Sequence, residues 1–253
     1  MFLGVAAAEG SAFAVLAVAL GAGPIPADVV VVTTALLAGL AGILGYLFFY
    51  EGLRHGTVGL VGTVTGAYPG VTVVLGVVLL GETLSGPQAL GVVFLVACVA
   101  LLAYEPRASA PSGRVARLLS LLGFLSWGVW GLLAKVSVDA IGEPTLFVFY
   151  AIANFAVAPV YAALRPPSRE PRGPASRTTV GLASFTIASG AAGVFALTFA
   201  YGEGPVSLVT PVAGSYPVVA ALGAAALLRE RLGPQVAAAL VAFVAGLVLL
   251  FAV

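Results

Sequence analysis

Cut at every Asp, Glu, Lys, Arg and His, the chain falls into nine uncharged stretches of 17 or more residues: 10–27, 29–50, 56–81, 83–104, 118–134, 144–164, 178–202, 204–228 and 232–253. A bilayer core about 30 Å thick takes about 20 helical residues to cross. Each stretch meets or nearly meets that length, and each is built mainly from Ala, Val, Leu, Gly and Phe. Across lipid only a helix or a closed barrel satisfies its own backbone groups. Barrel strands would be shorter and would alternate in polarity. The pattern therefore predicts an all-α membrane protein with nine transmembrane helices. The longest polar segments, 105–117 and 165–177, are rich in Pro, Ser, Arg and Gly and read as flexible loops.

Composition agrees. The 253 residues carry 11 basic and 10 acidic side chains, or 8% charged residues, against roughly 25% in a soluble domain. Apolar residues make up 61% and the mean hydropathy is +1.13. A soluble protein could not clothe its surface with so few charges. Cys98 is the only cysteine, which excludes a disulfide scaffold. A net charge of +1, with basic residues confined to short interhelical segments, gives no footing for nucleic acid. The first stretch lacks a basic leader and runs directly into a second, so it does not read as a signal peptide.

The basic residues choose a side. Arg54, then Arg107, Arg114 and Arg117, then Arg165, Arg169, Arg172 and Arg177, then Arg229 and Arg231 follow alternate stretches. Asp28, Glu82, Asp139, Glu143 and Glu203 fall on the other side, which has no Arg. The positive-inside rule places the Arg-rich loops in the cytoplasm, with the N-terminus inside and the C-terminus outside.

The sequence also repeats. Gly66-Ala67-Tyr68-Pro69 resembles Gly214-Ser215-Tyr216-Pro217 at an offset of 148, and Glu82 and Glu230 share that offset. So do Gly42 with Gly190, Gly45 with Gly193, and Gly56 with Gly204. Gly86-Pro87-Gln88 and Gly233-Pro234-Gln235 follow the two Glu residues, with one residue deleted. This divides the chain into a first repeat, 1–106, of four helices and a second, 118–253, of five. The mate of the stretch at 118–140 would fall before Met1. Either a helix precedes Met1 in a longer chain, or this is a nine-helix variant of a ten-helix plan. Five helices per repeat make the halves enter the membrane from opposite faces, the inverted repeat of secondary transporters.

Here the residues point to a family. Ser126-Trp127-Gly128 with Lys135, Ala200-Tyr201-Gly202-Glu203-Gly204-Pro205, Ser215-Tyr216-Pro217 and the junctions at Glu82 and Glu230 carry a resemblance over nearly the whole chain. The chain resembles the EamA-like branch of the drug/metabolite transporter superfamily. The resemblance implies a ten-helix plan, whose first helix is missing here, and a transporter, with export as the expected direction. Members usually keep both termini in the cytoplasm, whereas the Arg distribution here puts the C-terminus outside.

An ionisable group within a span is costly and is a functional candidate by default. Lys135 could be a cavity cation for a polar substrate group, a reading the resemblance supports, or an i,i+4 partner of Asp139 at the helix end. Glu9 lies within the first span and could couple protons or counter a substrate charge. Trp127 and Trp130 flank Gly128 and could wall a mostly apolar pocket. Asn154, one turn after Tyr150, supplies polar groups for a substrate or an interhelical hydrogen bond. Tyr68 and Tyr216 precede equivalent prolines, which are expected to kink their helices where transporters place substrate. The glycine pairs suit close helix packing, and Glu82 and Glu230 read as interfacial junction residues. His55 lies in a short loop and Cys98 among apolar residues.

No Ser/His/Asp arrangement, metal cluster, phosphate loop or cofactor motif is evident, so an enzyme is disfavoured. One Lys and one Glu within the spans do not suit a highly charged substrate. The expected function is secondary transport of a small neutral or zwitterionic, amino-acid-like metabolite across the plasma membrane, by alternating access between the repeats. The alternative is a non-transporting membrane scaffold or sensor with the same fold. The expected partners are that small molecule and the lipid bilayer. Apolar helix faces fit a homodimer as well as a monomer.

Overall fold

The computed structural model describes residues 2–103, 113–165, 176–215, 218, 222 and 234–251. Tyr216, Pro217, Glu230, Arg107, Arg169, Arg172, Arg229 and Arg231 lie outside the described residues. The described chain is helical: α1 (Phe2–Ala19), α2 (Val29–His55), α3 (Val58–Gly66), α4 (Tyr68–Leu79), α5 (Gly86–Ala103), α6 (Arg114–Ile141), α7 (Glu143–Leu164), α8 (Arg177–Glu203), α9 (Val206–Gly214) and α10 (Pro234–Phe251).

Among the described residues, six segments are long and apolar enough to cross a membrane, and Gly86–Leu101 is a shorter apolar helix. The expected nine exceeds that number. One of the six is a 51-residue segment, Arg114–Leu164, that contains both α6 and α7. These two helices part at Gly142, whose φ of +73° is open to glycine and strained for most other residues. The short α9 is followed by residues outside the described set.

Charges mark the helix ends less well than Gly and Pro do. α1 ends at Ala19, ahead of Gly21, Pro24 and Pro26, rather than at 27, and it holds Glu9 inside it. α6 runs through Lys135 and Asp139 to Ile141, past the charge-free stretch 118–134 and one residue beyond the expected 140. The stretch 56–81 is two helices. Thr57 caps α3 by accepting the Leu60 amide at 3.2 Å, and α3 stops at Gly66. α4 then starts afresh with Pro69 in its first turn. Pro69 thus opens a helix, where its missing N–H costs nothing. The expected mid-helix kink at Tyr68-Pro69 is a break.

α8, α9 and α10 begin and end 148 residues after α2, α3 and α5. The period of the Gly-x-Tyr-Pro pairs is therefore also the period of these helices.

The chain folds as two compact units, and each draws on both ends of the sequence. The first comprises Met1–Leu44 and Leu133–Gly202. In it α1 packs along α7, with Phe13 stacked on Phe147 at 5.6 Å and Phe147 on Phe195 at 5.6 Å. Gly39 of α2 lies against α7, where a Cβ would come within 2.8 Å of the Phe149 carbonyl oxygen. The second unit comprises Gly45–Leu132 and Glu203–Val253. In it α5 packs along α10 and α4 along α9. α5 and α10 approach at Gly91 and Gly246, where a Cβ on either would lie within 3.0 Å of the other's carbonyl oxygen. Val73, Val92, Leu95 and Leu250 form one core cluster of this unit, and Cys98, Val218, Ala239 and Ala242 form another.

Candidate functional site

Two groups of side chains stand out, one in each compact unit. In the second unit, Trp127 of α6 is half-buried and surrounded by rings from α2 and α4. Its neighbours are Tyr46 at 5.3 Å, edge-on, Phe49 at 5.7 Å and Tyr68 at 6.0 Å between centroids. Tyr50 extends the cluster, 5.3 Å from Phe49. Edge-to-face pairs at such distances are favourable beyond their buried area. The indole lies directly over Gly45, with no room for a Cβ there. One residue on, Gly128 admits the Val71 side chain of α4. The Thr72 hydroxyl donates to the Gly128 carbonyl at 3.0 Å. These contacts fix the register of α4 on α6, and so bring Tyr68 to Trp127. Trp130 is buried, 6% exposed.

In the first unit the polar residues singled out from the sequence are Glu9, Asn154 and Lys135. Glu9 is 2% exposed and Asn154 is 4% exposed. α1 meets Asn154 at Gly10, where a Cβ would lie 3.0 Å from the Asn154 Cβ. Asn154 Nδ2 donates to the Tyr150 carbonyl at 2.9 Å, while its Oδ1 has no hydrogen-bond partner among the described residues. An unmet buried acceptor is costly, so this atom is a place for a donor from water or ligand. Lys135 Nζ donates to Asp139 Oδ1 at 2.7 Å, which is the i,i+4 arrangement. Its side chain is 15% exposed and that of Asp139 54% exposed.

Of the expected site residues, Tyr68 and Trp127 meet, and Asn154 meets α1 beside Glu9. Tyr216 lies outside the described residues. Sequence reasoning passed over Tyr46, Phe49 and Tyr50, although their i, i+3, i+4 spacing puts them on one helical face. It also passed over Thr72, which carries no signal until α4 is set against α6.

The EamA-like transporter family model matches residues 1–104 and 115–252. A solved crystal structure is similar, with a TM-score of 0.74 and 19% identity, covering 99% of this chain and 87% of that one. At that identity the likeness speaks to fold alone. No curated protein matches the chain.

Proposed function

Because the chain belongs to the EamA-like transporter family and is a multi-pass membrane protein with a drug/metabolite-transporter-like fold, we propose that it exports a small neutral or zwitterionic metabolite. The observation that carries this reading is the ring cluster of Tyr46, Phe49, Tyr68 and Trp127 beside the break between α3 and α4. Aromatic walls with few polar anchors suit an amphiphilic solute such as an aromatic or branched amino acid. The pairing of Lys135 with Asp139 leaves little net charge for an anion at that position.

In this proposal the first repeat, 1–106, and the second, 118–253, are inverted and exchange conformations to give alternating access. The Arg-rich loops face the cytoplasm of a plasma-membrane protein. Glu9, buried in α1, carries the coupling proton, and Asn154 supplies a polar contact.

The test begins with a thermal-shift panel of amino acids, polyamines, sugars, nucleosides and organic acids on the detergent-solubilised protein. A ligand at a hundred times its Kd adds about 2.7 kcal/mol of stability. An amino-acid shift that disappears in Trp127→Ala, followed by flux of that solute in liposomes, is the expected result. In Glu9→Gln, flux should persist but lose its dependence on a pH gradient. A solute that binds wild type and Trp127→Ala alike would remove the ring cluster from the site. Binding without flux would favour a sensor.

A further inference from the structure

Glu82 reads from sequence as a plain junction residue, yet it makes a specific long-range contact. Its Oε1 accepts the Val206 amide at 2.8 Å and its Oε2 accepts the Ser207 amide at 2.9 Å. These are the first two amides of α9, and such amides have no partner within their own helix. A carboxylate there meets two donors and the positive end of the helix dipole together. The reach is built locally. Gly81, at φ +67°, turns the chain after α4, and the Glu82 amide returns to the Gly76 carbonyl at 3.3 Å. Gly76 leaves the space, since a Cβ there would come within 2.7 Å of Val206 Cγ1 and 2.8 Å of Glu82 Oε2.

At the opposite end of the same pair, Gly214 of α9 receives the Pro69 ring of α4. α4 and α9 therefore run antiparallel and are joined at both ends, by apolar contact at Pro69 and by the carboxylate at Glu82. Pro69 follows Tyr68, which touches Trp127. α4 thus spans from the ring cluster to the clasp.

We infer that Glu82 is a positioning residue for transport: its carboxylate locks α4 and α9 into one piece, so that the helix bearing Tyr68 moves only together with α9. The inference rests on the transport reading above for its functional half and on the hydrogen bonds for its structural half. Removing the carboxylate loosens the far end of α4, leaving only the apolar contact of Val206 with Gly76 to hold it there. The near end stays held by Pro69 on Gly214 and by Thr72 on Gly128. Substrate binding is then preserved while the conformational step loses its coupling.

The experiment compares wild type, Glu82→Ala and Glu82→Gln in two ways. Amide exchange at Val206 and Ser207, followed by NMR in micelles, should accelerate about tenfold or more in Glu82→Ala and less in Glu82→Gln, which keeps one acceptor. In liposomes, Vmax per folded protein should fall about fivefold in Glu82→Ala, with KM within about twofold. Glu82→Gln should be intermediate, and it serves alone if the alanine variant does not fold. Unchanged exchange at Val206 and Ser207 overturns the clasp. Faster exchange with unchanged Vmax overturns its role in transport, leaving a purely structural cap. A wild-type chain that moves no solute sinks the transport reading itself, and with it the functional half of this inference, while the exchange result still decides the clasp.

Discussion

α2 and α8 each have 27 residues and lie 148 apart, and both carry glycine at equivalent places, Gly45 and Gly193. Their surroundings differ completely. Gly45 is buried under the Trp127 indole, whereas Gly193 is exposed and a Cβ there would meet nothing within 4 Å among the described residues. Along the span as a whole, 28% of the α2 window is buried against 6% of the α8 window. A repeat in sequence thus reproduces the helix and its ends, because those depend on local chemistry. It does not reproduce the packing, because that depends on which helix arrives from elsewhere. α6 arrives at α2 with Trp127, whose indole covers Gly45.

The sharpest way to break the contrast is Gly45→Ala. The added methyl has no room under the indole, and overpacking of this kind costs typically 1–3 kcal/mol, here about 2. The loss should shrink in a Trp127→Ala background, since both changes act on one contact. Denaturation in mixed micelles measures all four corners of that cycle, and strict additivity would mean that Trp127 does not lie on Gly45. A smaller effect is expected from Thr72→Val, about 1 kcal/mol for the lost bond to the Gly128 carbonyl. Tyr68 fluorescence transfer to tryptophan should fall with it if that bond sets the register of α4, and an unaltered signal would assign the register to Val71 alone. The smallest effect belongs to Gly193→Ala. It should stay within about 0.5 kcal/mol of wild type, with the sign set by alanine's better helix propensity. A loss as large as that of Gly45→Ala would show that α8 is covered after all.

Much of the fold was legible because lipid is a simple solvent. A run without charge, long enough to cross, has few options but a helix, and the Gly-x-Tyr-Pro pairs gave the period of the helices as well. Charge was a poorer guide to where helices end. Gly21, Gly81 and Gly142 end or separate helices through positive φ, while Glu9, Lys135 and Asp139 lie inside helices. The Tyr68-Pro69 break was visible as a disturbance but not as a restart, since proline permits both. The candidate site was legible where a residue is unusual by itself, as with Trp127, Asn154 and Glu9. It was not legible where a common residue acquires a role through a contact distant in sequence. Glu82 meets amides more than 120 positions away, and no local spacing encodes that.

The crossing of α5 and α10 carries a consequence for how such a chain can change over generations. These helices are repeat mates, and they meet at Gly91 and Gly246 with backbone almost against backbone. After a duplication, two copies of a gene segment are ordinarily free to diverge. Here each copy is the other's environment, so a methyl gained on one strand of descent becomes a clash for its sibling. Because each clash would fall on the other helix's backbone oxygen, no side-chain change on the sibling relieves it, and the two positions are held at glycine together.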